Sequence, residues 1–133
     1  MTIIYLNETI KKRKTMNEIH LTLKKHWWDM IASGEKKEEY REIKPYWIRR
    51  LCYAYRTQDV TCKQSECEKC FKASLCNDGY MCYPFDEVVF HKGYTSETMR
   101  FSVVGVHYGQ GKIEWGAPEG ECVFIIKLGD RKQ

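Results

Sequence analysis

The sequence predicts an α+β domain, a small β-barrel or half-barrel of about five to six mostly antiparallel strands with two short helices. Three observations lead there. Apolar and polar residues alternate from Ile19 to Lys24, two helix-period segments follow in the first half, and three runs rich in β-branched and aromatic residues fill the second half. The links between those last runs are too short for parallel crossovers, which favours antiparallel pairing.

Ile19, Leu21 and Leu23 alternate with His20, Thr22 and Lys24, the pattern of a strand with one face on a core. Trp27, Met30 and Ile31 stand at i, i+3 and i+4, and Trp28 joins the same stripe, so a helix follows; Gly34 is placed to end it in the left-handed conformation. The run Glu35 to Glu42 would suit a solvated helix, but its position just after a glycine cap favours a strand. Pro45 opens a second helix with Trp47, Ile48 and Leu51 on one side and Arg49 and Arg50 on the other. Phe85 to Phe90, Phe101 to Val106 and Cys122 to Leu128 read as the remaining strands.

Residues 16–133 form a single domain in this reading, interrupted by a cysteine-rich insertion at 53–83 where periodicity disappears and aliphatics are scarce. Residues 1–15 form an extension outside the domain, disordered unless Ile3 to Leu6 pair as a short edge strand. The chain of 133 residues, with 43% hydrophobic and 30% charged residues, has room for one core, and no apolar run approaches a bilayer span. The first residues lack the basic-then-apolar order of a secretory signal, so a cytoplasmic protein with reduced cysteines is expected. A net charge of +4 permits a polyanionic partner without requiring one.

The segment Trp28-Asp29-Met30-Ile31-Ala32-Ser33-Gly34-Glu35-Lys36-Lys37-Glu38-Glu39-Tyr40-Arg41 resembles the signature of the ASCH domain: an aromatic-containing helix followed by Gly-x-Lys-x-x-Glu-x-Arg, with Gly34, Lys36, Glu39 and Arg41 in the four signature positions. The order of elements on either side is similar to that of the PUA-like barrel of that family. The stretch Glu114-Trp115-Gly116-Ala117-Pro118 and the strand Phe124 to Gly129 look like the tail of small bacterial and phage members. The resemblance implies an RNA- or nucleotide-facing cleft. Some small ASCH proteins are amidohydrolases that remove an acyl group from a modified cytidine; their motif lysine matches Lys36, but their threonine nucleophile is replaced here by Glu39, so an acyl-enzyme at that position is excluded.

Read from the residues alone, Glu39 and Arg41 lie two apart on one strand face, and Lys36 lies just inside the preceding turn. A carboxylate between two cations stays ionised and orients both, leaving their other donors for a phosphate or a base edge. The competing reading is a surface salt-bridge ladder of little energetic consequence. Tyr46 and Trp115 are candidate stacking surfaces for a base, with Trp47 more naturally a core residue. The candidate ligand-binding set is therefore Lys36, Glu39, Arg41, Tyr46 and Trp115; were the protein an enzyme, Lys36 as base and Glu39 as activator of water would be the catalytic candidates. On this view the cations can be removed without loss of the fold. His20, His26, His91 and His107 fall on separate elements with no catalytic spacing, and Gly109-Gln110-Gly111-Lys112 reads as a hairpin turn.

Seven cysteines are many for this length, and all but Cys122 lie between Cys52 and Cys82. The gap at Cys67-Glu68-Lys69-Cys70 has the spacing of a zinc knuckle, and Cys62, Cys76 and Cys82 could complete a structural site. One structural zinc is the expected cofactor, since a segment so poor in aliphatics gains little from packing alone. Thiols left free in a loop, or disulfides, are the alternatives. A protein-interaction role for a zinc-stabilised insertion is a third functional reading beside RNA or nucleotide binding and nucleoside amidohydrolysis.

Overall fold

The computed structural model describes residues 17–52 and 84–133. Eight-residue α1 (Lys25–Ala32) follows β1 (Glu18–Leu23); β2 (Glu38–Arg41) and α2 (Pro45–Leu51) come next. β3 (Glu87–Lys92), β4 (Thr98–Gln110), a single 3₁₀ turn (Ile113–Trp115) and β5 (Cys122–Lys132) complete the described chain. The expected zinc cysteines, the insertion and the expected extension fall outside the described residues.

The five strands form one mixed sheet in the order β1-β3-β4-β5-β2, curled into a half-barrel. Three of the four pairings are antiparallel, as expected, but β1 and β3 run parallel, with Ile19 opposite Val88 and Leu21 opposite Phe90. The expectation that short links exclude parallel pairing fails for this pair because β1 and β3 are not consecutive: α1, β2, α2 and residues 53–83 lie between them, ample chain for a crossover. The long β4–β5 ladder slips register between Phe101 and Val103 and again between Val103 and Gly105; such irregularities bend a strand and sharpen its twist.

The inner face is closed by the two helices. Ile19, Leu21 and Leu23 of β1 meet Val88 and Phe90 of β3, Phe101 of β4 and Phe124 and Ile126 of β5, with Trp28 and Ile31 of α1 and Ile48 and Leu51 of α2 packed onto them. Phe90 and Phe101 meet edge to face, ring centroids 5.9 Å apart. A smaller apolar cluster lies on the other side of the sheet, where Tyr40, Val123 and Ile125 are covered by Ala117 and Trp115.

Local chemistry explains the joints. Gly34 takes φ 86°, and the backbone N–H groups of Ser33, Gly34 and Lys36 donate back to Asp29, Ile31 and Met30, so the chain turns tightly off α1 and enters β2. Pro45 begins α2, where its missing N–H costs nothing. The expected hairpin turn at Gly109-Gln110 is instead the end of β4, paired with Val123 and Cys122 of β5; the chain reverses later, through the 3₁₀ turn and Gly116 at φ 102°. The alternation that ends visibly at Val106 gives no sign of this extension. No helix among the described residues is long and apolar enough to cross a membrane.

Candidate functional site

The turn after Gly34 delivers Lys36 to the base of β2, and the side chain is almost sealed, 2% exposed. Its ammonium donates to the Trp115 carbonyl at 2.6 Å and pairs with Glu39 Oε1 at 2.9 Å. It also stands 4.3 Å from the centroid of the Trp27 ring, a cation–π contact in a desolvated setting. One lysine therefore ties α1, β2 and the loop after β4 together.

Glu39, 3% exposed, lies opposite Ile126 on the inner face of the sheet. Oε1 also accepts from the backbone N–H of Tyr40 at 3.2 Å, and Oε2 accepts from Arg41 Nη1 at 2.7 Å. Both oxygens are engaged, and two cationic side chains lie against one buried carboxyl group, the pairing that offsets the cost of burying it.

Arg41 stands at the mouth of the half-barrel. Nη1 also donates to its neighbour's carbonyl, Tyr40 O, at 3.0 Å, and Nη2 reaches across to the Thr22 carbonyl of β1 at 3.2 Å. The guanidinium carbon lies 5.2 Å from the centroid of Trp47. Its side chain is 17% exposed, the most open of the three charges.

Tyr40 points to the opposite side of β2. Its hydroxyl donates to Glu38 Oε1 at 2.8 Å and accepts from the backbone N–H of Lys112 at 3.0 Å. Burial pushes the phenol up to about 12; the Lys112 N–H works against that and the Glu38 carboxylate adds to it. Beside it a cavity of ≈ 420 Å³ is lined by Tyr40, Arg41, Glu42, Gly116, Pro118, Glu121 and Val123. A volume of this order suits a small organic ligand.

The fold thus brings together three of the expected site residues, Lys36, Glu39 and Arg41, but differently from an open cleft: the first two are interior and their donors and acceptors are spent on the protein. Trp115 joins them through its backbone carbonyl, while its ring is half-buried against the smaller apolar cluster and carries the Lys112 ammonium 4.2 Å from its centroid. Tyr46 stays apart from the cavity, 52% exposed, with the Arg50 guanidinium 3.5 Å from its ring centroid. Trp47 packs against the core, as expected of it. Trp27 and Tyr40 also face the Lys36 ammonium; nothing in their spacing distinguishes them from any packed aromatic, and only the turn at Gly34 sets Lys36 against them. Among the described residues, no group of three or more His, Cys, Asp or Glu side chains could hold a metal ion. Comparison of the chain with protein-family models, with curated proteins and with solved structures finds no match in any of the three.

Proposed function

We propose that the chain is an ASCH-type, PUA-like domain that binds RNA or a nucleotide-like ligand, with Arg41 as the contacting group and Lys36 and Glu39 as its buried support. One observation carries this reading. The Arg41 guanidinium is held at the mouth between the two sheet edges by a carboxylate that is itself fixed by a buried lysine, and the trio carries one net positive charge there. Three of its five N–H donors go to Glu39, Tyr40 and Thr22, which orients the guanidinium in advance and leaves two for a phosphate or a base edge. Arg41 also lines the open groove on the Tyr40 side of β2, whose wall includes Glu42 and Glu121.

The amidohydrolase reading is weaker for a chemical reason. Activation of water by Glu39 needs a free carboxylate oxygen, and both are engaged by Lys36, Arg41 and the Tyr40 N–H in a side chain shut off from solvent. Structural zinc held by Cys67, Cys70 and two of Cys62, Cys76 and Cys82 remains a proposal that rests on spacing alone.

The deciding experiment is a fluorescence-anisotropy titration of single-stranded RNA, with nucleoside monophosphates as competitors, at low and high salt. Arg41→Lys is expected to weaken binding by about tenfold, in line with the 1–3 kcal/mol that a bidentate contact supplies. Equal affinity in the variant, or no RNA or nucleotide binding by the wild type, rejects the assignment. Turnover of an acylated nucleoside by the wild type would favour the hydrolase instead.

A further inference from the structure

Two histidines that lie 71 positions apart in the chain meet on the outer face of the sheet. The β1–β3 register sets Thr22 opposite His91 and His20 opposite Val89, while Ile19, Leu21, Val88 and Phe90 point into the core. His20 and His91 are therefore diagonal neighbours on the opposite side. Nδ1 of His20 and Nε2 of His91 lie 2.8 Å apart, and the other nitrogen of His20, Nε2, lies 3.0 Å from Glu18 Oε1. Glu18 is in turn fixed by Arg100, which also pairs with Glu87 Oε1 at 2.9 Å.

The Glu18 carboxylate can only accept, so His20 Nε2 donates to it; with both imidazoles in their neutral forms, His20 Nδ1 is left as a lone pair that accepts the Nε2–H of His91. The result is a carboxylate–imidazole arrangement aimed at a second imidazole, the form that orients a histidine ligand and raises its basicity in metal sites.

We propose that His20 Nδ1 and His91 Nε2 form a two-histidine site for a divalent late-transition-metal ion, with Glu18 as the positioning residue. Two nitrogens at zinc-bond length from one ion stand about 2.9 Å apart at a right angle and about 3.3 Å apart at the tetrahedral angle. The observed 2.8 Å is close to that span. The His20 side chain is 52% exposed, so the rings have room to rotate by the roughly 35–45° that turns both lone pairs from each other toward a shared ion, with water completing its shell. On binding, His91 shifts its proton from Nε2 to Nδ1 and no proton is lost. With two protein ligands the ion exchanges readily, unlike one in a closed structural site. Imidazole donors select Zn²⁺, Cu²⁺ or Ni²⁺ over Mg²⁺ or Ca²⁺.

The test is a Zn²⁺ titration of the whole chain, read by long-range ¹H–¹⁵N spectra of the imidazoles, which report on the histidines whatever the cysteines bind. His20 Nδ1 and His91 Nε2 are expected to shift together and saturate, with Mg²⁺ inert. His91→Gln should abolish the His20 response, and Glu18→Gln should weaken the site by about tenfold. The proposal is overturned if the two nitrogens do not respond, if His20 responds equally in His91→Gln, or if Glu18→Gln binds Zn²⁺ as tightly as the wild type.

Discussion

Arg41 Nη2 donates to the carbonyl of Thr22 at 3.2 Å, a bond between the two strands that form opposite edges of the sheet. β1 and β2 share no backbone ladder; a side chain spans the gap where a closed barrel would have strand pairing. The same guanidinium is held by Glu39, so the charged motif closes the half-barrel as well as lining its mouth.

It follows that Arg41→Met should destabilise the fold, not only weaken ligand binding. Hydrogen bonds to charged groups contribute about 1.5–3 kcal/mol each, and partial exposure of this side chain places the expected loss near 2 kcal/mol. Urea denaturation measures it, and faster amide exchange in β1 would locate it. An unchanged midpoint would show that the edges hold together without this link.

Lys36→Met should cost more, about 3–5 kcal/mol, because it strands Glu39 in the interior with Arg41 as its remaining cation. This revises the expectation that the motif cations can be removed without loss of the fold. The double variant Lys36→Met with Glu39→Gln should lose much less than the sum of the two single changes, since it also removes the buried anion. Additive losses would mean that the pair is not coupled.

Gly116→Ala should destabilise by about 1–3 kcal/mol. The backbone there has φ 102°, which disfavours any side chain, and an added Cβ would stand 2.9 Å from the Trp27 ring on which Lys36 rests. Gly120 provides the control: it has φ 73° but nothing within 4 Å of its would-be Cβ, so Gly120→Ala meets the backbone strain alone and should cost less. Thermal unfolding of both variants separates clash from strain.

The Tyr40 phenol gives an alkaline prediction. Its folded value is raised to about 12 from an ordinary 10.0, so between those values the unfolded chain releases the proton first and binds fewer protons than the native state. Stability then falls as pH rises through that window. Tyr40→Phe should lose this part of the alkaline slope, and the wild type should keep one phenol protonated until it unfolds. Denaturant midpoints with identical pH dependence in the two proteins would contradict the burial of that hydroxyl.

The sequence by itself determined the elements. Alternation at Ile19 to Leu23, the stripe of Trp28 and Ile31, the stop at Gly34 and the start at Pro45 are local patterns, and each survives in β1, α1, β2 and α2 because its cause lies within a few residues. The proximity of Glu39 to Arg41 was equally local, a matter of two-residue spacing. Only the tertiary structure decided what those charges face. Lys36 is buried because the loop after β4 brings the Trp115 carbonyl to it from 79 residues away, and Arg41 meets Thr22 because the sheet curls. The parallel pairing of β1 with β3, and with it the meeting of His20 and His91, likewise depends on a crossover whose geometry no short-range pattern encodes: hydrophobic period specifies which face of a strand is buried, but not which strand lies beside it.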